Sequence, residues 1–379
     1  MADEDTHYLW NRDSIDFNDS YFSTHLITYL GNKRKLLPFI NSAIEIVKKE
    51  LEADKITAFD GFAGSGVVSR LLKQHTTTLY VNDFEQYSKT VNTAFLSNSE
   101  VVDMNRLLKA IDYLNENRLS PTKSPYFISQ NYAPKNDDDI QPGERVFYTH
   151  NNALAIDNIR HLIETEIDED LRIFCLAELI VQASIHNNTS GVFKGFHKKN
   201  GIGHFGGAGE NALERIKGDI LLKMPRFSKV SNKTIVFCTD TNQLVKELPP
   251  VDLAYYDPPY NQHPYGSNYF MLNIINGGKP VEIQNGVSGI ASDWQRSAYN
   301  KQKPAEKAFE DLIANTKAKY VLISYNNEGI VPFEIFKGII EKHGSWRLLE
   351  QDYNTYRGSR NLCNRNSKVK ELLWLIKKF

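Results

Sequence analysis

The fold is decided by residues 56–73, which read ITAFDGFAGSGVVSRLLK. The apolar and β-branched run Ile56–Phe59 predicts a short strand, and the apolar spacing of Val67–Lys73 predicts a helix. Between them the chain turns through glycines in the order Gly-x-x-Gly-x-Gly. Glycines here let a ligand approach the backbone amides at the start of a helix. The stretch therefore predicts a strand, a turn and a helix with a ligand site at the turn, although a plain tight turn has the same pattern.

Five further β-rich runs alternate with helical patterns, which predicts an α/β fold with a mostly parallel sheet. These runs are Thr78–Asn82, Thr234–Thr239, Asp252–Tyr256, Tyr320–Ser324 and Leu372–Lys377. About 150 residues separate the first two of them, too many for a normal crossover. We therefore expect one domain made of residues 24–100 and 234–379, with residues 101–233 inserted into it. Within the insertion, Val101–Asn117 and Asn152–Ser184 have helical periodicity, and the seven glycines of Gly191–Gly209 indicate a mobile loop or a hairpin.

Composition excludes several classes of protein. The chain has 379 residues, 41% of them hydrophobic, so it can bury a large core and is not disordered. Its most apolar stretch is short and contains Glu178, so no membrane span is expected. The first twenty residues hold six acids and one arginine, unlike a signal peptide. The three cysteines lie far apart, which argues against a disulfide framework and a metal site and favours a reducing cytoplasm.

The sharpest chemical motif is Asp257-Pro258-Pro259-Tyr260, which directly follows a predicted strand. The carboxyl edge of a parallel sheet is where α/β folds place their ligands. The prolines lack backbone donors, so carbonyl oxygens and the Asp257 carboxylate are left as acceptors beside the Tyr260 ring. Two acceptors and a stacking ring suit a planar base that carries an exocyclic amine. The alternative is a proline-rich turn with Tyr260 packed on the core.

Two more stretches complete the pattern. Asp83 ends the second predicted strand about 20 residues beyond the glycine loop, where a carboxylate can bind ribose hydroxyls. Upstream, residues 28–40 read TYLGNKRKLLPFI, a glycine and three bases before an apolar helix. By itself this stretch is typical of a helix start with exposed charge.

Together these motifs resemble the Dam-like DNA adenine methyltransferases. That family shares the order Tyr-x-Gly-x-Lys, Phe-x-Gly-x-Gly, an insertion, and then Asp-Pro-Pro-Tyr. The resemblance extends from Thr24 to Phe379 and implies a Rossmann-like sheet that binds S-adenosylmethionine (AdoMet), with an inserted, partly helical target-recognition subdomain. It implies helices over about 101–184 and DNA recognition over about 185–233. One departure is Gly61, where many relatives have proline.

The resemblance also implies residue roles. Methyl transfer to the adenine amine would depend on Asp257, Pro258, Pro259 and Tyr260. The implied AdoMet contacts are Tyr29, Gly31, Lys33, Asp60, Phe62, Gly64, Gly66, Asp83 and Asp240, with Asp83 at the ribose and Asp240 near the adenine. Tyr269 and Phe270 are either pocket residues or ordinary core residues, and we favour the core.

The formal net charge of −1 hides a polarised distribution. Residues 191–233 carry nine Lys and Arg against three acids, and residues 352–379 carry seven against two. These basic segments predict local, salt-sensitive binding of double-stranded DNA. The candidate phosphate contacts are Lys194, His197, Lys198, Lys199, Arg296, Arg357, Arg360 and Arg365.

Three rival functions stay open from the sequence. The first is a methyltransferase acting on RNA adenine or on cytosine N4. The second is a nucleotide-binding oxidoreductase that uses the glycine loop and Asp83. The third is a DNA-binding module without catalysis. For the favoured function, we expect a bacterial or phage enzyme of the cytoplasm, with a cognate restriction endonuclease as a further partner.

Overall fold

A computed structural model of the chain describes residues 15–24, 26–260, 262–326, 329–354 and 368–379. Within these ranges, seven strands form one sheet and two short strands form a hairpin. The strands are β1 (Ile56–Asp60), β2 (Thr76–Asp83), β3 (Lys198–Lys199), β4 (Ile202–Gly203), β5 (Lys233–Cys238), β6 (Val251–Tyr256), β7 (Ala318–Asn326), β8 (Gly344–Asn354) and β9 (Lys368–Lys378). All six strands expected from the sequence are present, and β8 is one that the sequence did not predict.

The strand order in the sheet is β5-β2-β1-β6-β7-β9-β8. The first five strands are parallel to one another, and β9 runs antiparallel to both of its neighbours. This arrangement confirms the α/β fold with a mostly parallel sheet. Because β1 has β2 on one side and β6 on the other, the strand order reverses beside it, which opens a crevice at the carboxyl ends of the strands.

Fourteen α-helices accompany the sheet in the described part of the chain. They are α1 (Ser20–Ser23), α2 (Leu37–Glu50), α3 (Val67–His75), α4 (Gln86–Phe95), α5 (Met104–Glu116), α6 (Phe127–Tyr132), α7 (His150–Thr165), α8 (Glu169–Ile185), α9 (Leu213–Lys217), α10 (Thr241–Glu247), α11 (Tyr265–Asn268), α12 (Phe270–Gly277), α13 (Gln302–Asn315) and α14 (Phe333–Glu341). No helix in these ranges is long and apolar enough to cross a membrane.

Capping side chains set several helix starts. Helix α5 begins later than the periodicity suggested because the Asp103 carboxylate accepts hydrogen bonds from the Asn105 and Arg106 amides. The Thr149 hydroxyl caps α7 in the same way through the Asn152 amide. The expected helical run 152–184 is thus two helices, with α8 starting afresh at Glu169.

The helices of the insertion share a core with the sheet domain. One hydrophobic cluster joins α5, α7 and α8 to Val91 of α4 and to Phe270 and Leu272 of α12. Helix α4 also contacts both β2 and β5. The insertion is therefore packed against the helical layer beside the glycine loop. The domain boundaries given above stay a prediction.

The glycine-rich stretch 191–209 contains the β3–β4 hairpin. Lys198 pairs with Gly203 and Lys199 with Ile202. The two turn residues, Asn200 and Gly201, both have positive φ angles, 53° and 84°, as a tight type I′ hairpin turn requires. Two lysines are thereby displayed beside the tip of a surface hairpin.

Candidate active site

A pocket in the described chain lies at the carboxyl edge of the parallel strands. Its wall contains ten of the thirteen residues expected to catalyse or to bind cofactor: Tyr29, Gly31, Lys33, Asp60, Phe62, Gly64, Asp83, Asp240, Asp257 and Pro259. Gly66, Pro258 and Tyr260 lie outside the wall. The carboxyl ends of β1 and β6 bring the glycine loop and the Asp257 turn together, since Asp60 is in register with Tyr255.

The glycine loop is fixed by buried hydrogen bonds. The Asp60 carboxylate accepts from Ser69 Oγ (2.6 Å) and from the Phe62 amide (3.3 Å). Burial raises the pKa of Asp60 to about 7. Gly61 donates its amide to the Tyr255 carbonyl (3.0 Å), and a Cβ at residue 61 would lie 2.7 Å from the Tyr256 ring. This packing explains why glycine stands here, since proline has neither the donor nor the space.

The role of Gly66 is structural in this arrangement. It starts α3 with a φ of 77°, in the left-handed region that favours glycine. A Cβ there would lie 2.2 Å from Asn92 Oδ1, and the Asn92 amide nitrogen is held by the Gly64 and Ser88 carbonyls. The side of Gly66 where a Cβ would stand is thus filled by α4, and a cofactor contact at this glycine stays a prediction.

Two acids at the carboxyl end of β2 belong to the pocket wall. Asp83 accepts hydrogen bonds from the Gly64 amide (2.7 Å) and the Glu85 amide (2.9 Å). Glu85, which the sequence analysis missed, accepts from Asn273 Nδ2 (2.6 Å), and burial raises its pKa to about 7. Both carboxylates are thus oriented toward the pocket by neighbours that use only part of their acceptor capacity.

A stack of tyrosines closes one side of the pocket. The Tyr29 ring lies parallel to Tyr269 (centroids 4.7 Å apart, 8° between planes) and nearly parallel to Tyr265 (5.0 Å, 22°). Tyr269 is fully buried and its hydroxyl accepts from the Leu30 amide, so it is a core residue, as is Phe270. Tyr265 lines the pocket, and sequence reasoning did not single it out.

The most unusual feature is a buried ion cluster. Lys33 Nζ lies 3.1 Å from Asp257 Oδ1 and 2.9 Å from Glu371 Oε1. Burial opposes the charge of Lys33, but attraction by Asp257, Tyr260 and Glu371 holds its pKa well above the ordinary value. Burial raises the pKa of Asp257 to about 6 despite the opposing effect of Lys33, and Glu371 adds to the rise. Apart from its ion pair with Lys33, the buried Asp257 Oδ1 accepts no hydrogen bond from the described residues.

Glu371 was missed by the sequence analysis. It stands at the start of the apolar run LLWLI, an acid beside a strand that is otherwise buried. This position could have indicated Glu371 as a candidate site residue, because an acid in a buried strand needs a charged or hydrogen-bonding partner. Its partner, Lys33, is 338 residues away (371 − 33), so the spacing of residues could not reveal it.

Tyr260 lies beside this cluster. Its ring meets the Tyr325 ring edge-on (6.0 Å), and Lys33 Nζ is 5.1 Å from its centroid. The Tyr260 carbonyl accepts from the Ile330 amide (3.0 Å). Gly31 has a φ of 74°, in the left-handed region that favours glycine, and a Cβ there would lie 2.8 Å from the Tyr260 hydroxyl.

The candidate DNA contacts fall in three places. Lys194, Lys198 and Lys199 are exposed on the hairpin segment, where Lys199 lies 3.6 Å from Glu210 and the His197 amide donates to the Asn188 carbonyl. Arg296 is exposed over the Trp294 ring (4.8 Å), next to Gln295 of the pocket wall. Arg357, Arg360 and Arg365 lie outside the described residues.

The pocket is strongly acidic. Its described wall contains the carboxylates of Asp60, Asp83, Glu85, Asp240 and Asp257, against the single base Lys33. Such a wall attracts a ligand that carries positive charge and repels a pyrophosphate. This charge pattern disfavours the nucleotide-binding oxidoreductase considered above.

We predict that Lys33→Met lowers the free energy of unfolding by about 3–5 kcal/mol at about pH 8, because it leaves the two carboxylates buried without their cation. The loss is smaller at about pH 5.5. A carboxyl whose pKa is raised on folding destabilises the protein only as the pH rises through that pKa. At about pH 5.5, below the raised pKa of Asp257, this carboxyl is mostly protonated and needs no cation beside it. Urea unfolding followed by circular dichroism measures both values.

The matched control is Lys342→Met, which removes an exposed ion pair with Glu310 (2.7 Å). It should change the free energy of unfolding by less than about 1 kcal/mol at either pH. Equal losses for Lys33→Met at the two pH values would contradict the assigned protonation of Asp257.

Comparison with known proteins identifies the family. Residues 29–331 match the model of the D12 class N6 adenine-specific DNA methyltransferases. The chain is 30% identical to the type II methyltransferase M.NlaIII of Neisseria lactamica over 90% of its own length and 96% of that protein. It is 30% identical to the modification methylase LlaI of Lactococcus lactis, and the match covers 92% of this chain and 55% of that protein. It is 27% identical to the type II methyltransferase M.CviAII of Paramecium bursaria Chlorella virus 1, and that match covers 92% of this chain and 98% of the relative. The chain therefore belongs to the D12 class of N6 adenine-specific DNA methyltransferases, and it is a site-specific enzyme that methylates adenine in DNA.

Proposed function

We propose that the methyl donor is AdoMet and that the acceptor is the exocyclic amine of an adenine flipped out of double-stranded DNA. The observation that supports this most directly is Asp257 Oδ1, a buried acceptor in the wall of an acidic pocket whose one partner among the described residues is the Lys33 ammonium. When bound, AdoMet supplies an activated methyl group on a positively charged sulfonium. The acidic wall fits that charge and the ammonium group of the same molecule.

The residues around the pocket suit the parts of this donor. The Asp83 carboxylate has acceptor capacity left for ribose hydroxyls. Asp240, whose carboxylate already caps α10 through the Gln243 amide, would accept the adenine amine. Tyr29, Gly31, Lys33, Asp60 and Gly64 form the rest of the wall. These roles are part of the proposal.

Asp257 acts on the acceptor. The adenine amine is a poor nucleophile because its lone pair is delocalised into the ring. Asp257 and the Pro258 carbonyl accept its two N–H groups, which localises the lone pair and aims it at the methyl carbon. The amine would take the methyl group that AdoMet supplies when bound and would release one proton, which the hydrogen-bonded Asp257 carboxylate accepts and passes to solvent. Catalysis in this scheme is mainly positioning.

The target base must leave the duplex to reach Asp257, since the amine is inaccessible within stacked pairs. We propose that the Tyr260 ring stacks on the flipped base and that Pro259 shapes the edge of its pocket. The Tyr260 carbonyl already accepts a hydrogen bond from the Ile330 amide, and the Tyr260 ring contacts Tyr325 and Lys33. The stacking ring is therefore preorganised.

The hairpin segment is the proposed DNA surface. It is tied to the pocket because the Phe193 amide donates to the Asn268 carbonyl (2.7 Å) at the end of α11, the helix that carries Tyr265. On this proposal Lys194, His197, Lys198 and Lys199 contact DNA phosphates, and so does Arg296, the residue after Gln295 of the pocket wall. Arg357, Arg360 and Arg365 remain candidates on the same proposal.

The partner protein and the cellular location of the enzyme are also part of the proposal. Two relatives carry the name type II methyltransferase and one the name modification methylase. By analogy, a cognate restriction endonuclease that shares the recognition sequence is the expected partner, in the cytoplasm of a bacterium or of a cell infected by a phage. The division into residues 24–100 with 234–379, and an insertion over 101–233, belongs to this proposal as well.

We predict that Asp257→Asn reduces methyl transfer on the order of 10²-fold or more, because one carboxylate acceptor for the amine is replaced by an amide. AdoMet binding, measured by calorimetry, stays within a few-fold. The assay is methylation of unmodified genomic DNA with AdoMet, followed by mapping of the modified bases by sequencing. The wild-type enzyme should produce N6-methyladenine at one short sequence.

The matched control is Asp252→Asn at the other end of β6, where the carboxylate pairs with Lys319 (2.7 Å). It should leave the methylation rate unchanged. Methyl groups on cytosine, or a rate unaffected by Asp257→Asn, would contradict the proposal.

We predict that changing both Lys198 and Lys199 to Ala weakens duplex binding about equally on specific and unrelated sequences. The slope of log affinity against log salt should fall by about 0.9 for each phosphate that the variant no longer neutralises. Fluorescence anisotropy at several salt concentrations measures this slope.

The matched double variant changes Lys246 and Lys319 to Ala, at the opposite, amino edge of the sheet. Both lysines are exposed and paired with acids, Lys246 with Asp311 (3.3 Å) and Lys319 with Asp252. It should leave the slope unchanged. An unchanged slope for the hairpin variant would place the DNA elsewhere.

A further inference from the structure

Glu371 belongs to the ion cluster but lies outside the stretch that matches the family model, residues 29–331. It comes from β9, the strand that runs against its neighbours, whereas Asp257 follows β6 and Lys33 precedes α2. Between β6 and β9 lies β7. The Lys33 side chain thus reaches across the end of the sheet to touch acids from two different strands.

Glu371 is the fixed member of the cluster. The residue is 5% exposed, and Ser324 Oγ on β7 donates to its Oε1 (2.7 Å). Ser324 is itself fully buried. Lys33, by contrast, is carried by a long flexible side chain on a turn, so its ammonium can shift between the two carboxylates with little backbone movement.

The cluster creates a competition at Asp257. Lys33 faces the same oxygen, Asp257 Oδ1, that the proposed function assigns to the adenine amine. For that amine to bind, the lysine must withdraw from the oxygen. A buried ammonium that loses its only partner is strongly destabilised, by more than most single contacts contribute. Glu371 removes this difficulty because the ammonium keeps an ion pair after it leaves Asp257.

We propose that Glu371 is a positioning residue for methyl transfer: it holds the Lys33 ammonium so that Asp257 can exchange this lysine for the amine of the target adenine. The proposal rests on the proposed function of Asp257. It assigns Lys33 to the acceptor side of the reaction, beyond its expected contact with AdoMet. It also gives the reversed strand β9 a part in the chemistry.

Several other groups face Asp257. Asp60 approaches it from β1, and Tyr255 precedes it on β6, while Tyr260 and Tyr265 lie beyond the turn. These groups are unchanged by a substitution at residue 371. Loss of the Glu371 charge therefore removes one negative neighbour of Asp257 and leaves Lys33 attracted to Asp257 alone. Both effects favour the charged form of Asp257.

The test is Glu371→Gln, which keeps the size of the side chain and an oxygen that accepts the Ser324 hydroxyl. Single-turnover methylation is measured from preformed complexes with AdoMet and duplex DNA over a range of pH. We expect the rate to fall on the order of 10-fold to 100-fold, since the lysine now holds Asp257. The acid limb of the rate profile should move to lower pH. The dissociation constants of AdoMet and DNA should stay within about twofold, as positioning at the acceptor requires.

The matched control is Glu350→Gln on β8, which removes the exposed ion pair with Lys370 (2.7 Å). Its rate and its pH profile should equal those of the wild-type enzyme.

Ser324→Ala is the second variant: it keeps the Glu371 charge but frees the carboxylate, so the rate should fall a few-fold and the acid limb should stay in place. If Glu371→Gln does not fold, as judged by its thermal transition, Ser324→Ala decides, and an unchanged rate overturns the proposal.

Three results with Glu371→Gln would overturn the proposal. They are an unchanged rate, a lower rate with an unmoved acid limb, and a loss that is explained by weaker AdoMet binding. Failure of the proposed function is recognised separately, because the wild-type enzyme would then place no methyl group on adenine.

Discussion

The buried ammonium of Lys33 between Asp257 and Glu371 is the interaction on which the active end of the molecule depends. It connects three parts of the chain that are distant in sequence: the turn before α2, the end of β6 and the start of β9. Two buried carboxylates and one cation are stable only while the distances between them are kept, because removal of one partner leaves a buried charge without compensation. The cluster therefore favours one relative position of these elements, and in that position Asp257 forms part of the pocket wall.

The parallel sheet brings the remaining groups to the same edge. Parallel strands end on one side, and the reversal of strand order beside β1 opens a crevice there. Asp60, Asp83 and Asp257 stand at the carboxyl ends of three adjacent strands and meet in that crevice. The result is an acidic donor pocket with an acceptor oxygen at its rim. Basic side chains are placed farther out, on the hairpin of the insertion, so one molecule with a net charge near zero presents opposite charges to a cationic donor and to a polyanion.

Much of this arrangement could be predicted from the sequence, because local patterns carry it. The alternation of β-rich and helical runs indicated the strands of the parallel sheet, and the glycine loop, Asp83 and Asp257 follow strand ends that any parallel sheet brings together. Strand β8 was missed because it lies at the sheet edge and its polar residues break the alternation typical of a strand, as in the consecutive Glu350, Gln351 and Asp352. Glu371 was missed because its ion pair joins residues at opposite ends of the chain. The packing of Gly61 against Tyr256 and of Gly66 against Asn92 likewise depends on contacts that no short motif encodes.

The most direct measurement of the central claim is a crystal structure of the enzyme with duplex DNA and an unreactive AdoMet analogue. We expect the target adenine to be out of the helix, its amine within hydrogen-bond distance of Asp257 Oδ1, and Lys33 Nζ withdrawn from that oxygen but still paired with Glu371. A complex in which the lysine stays on Asp257 while the adenine amine binds elsewhere would contradict this account.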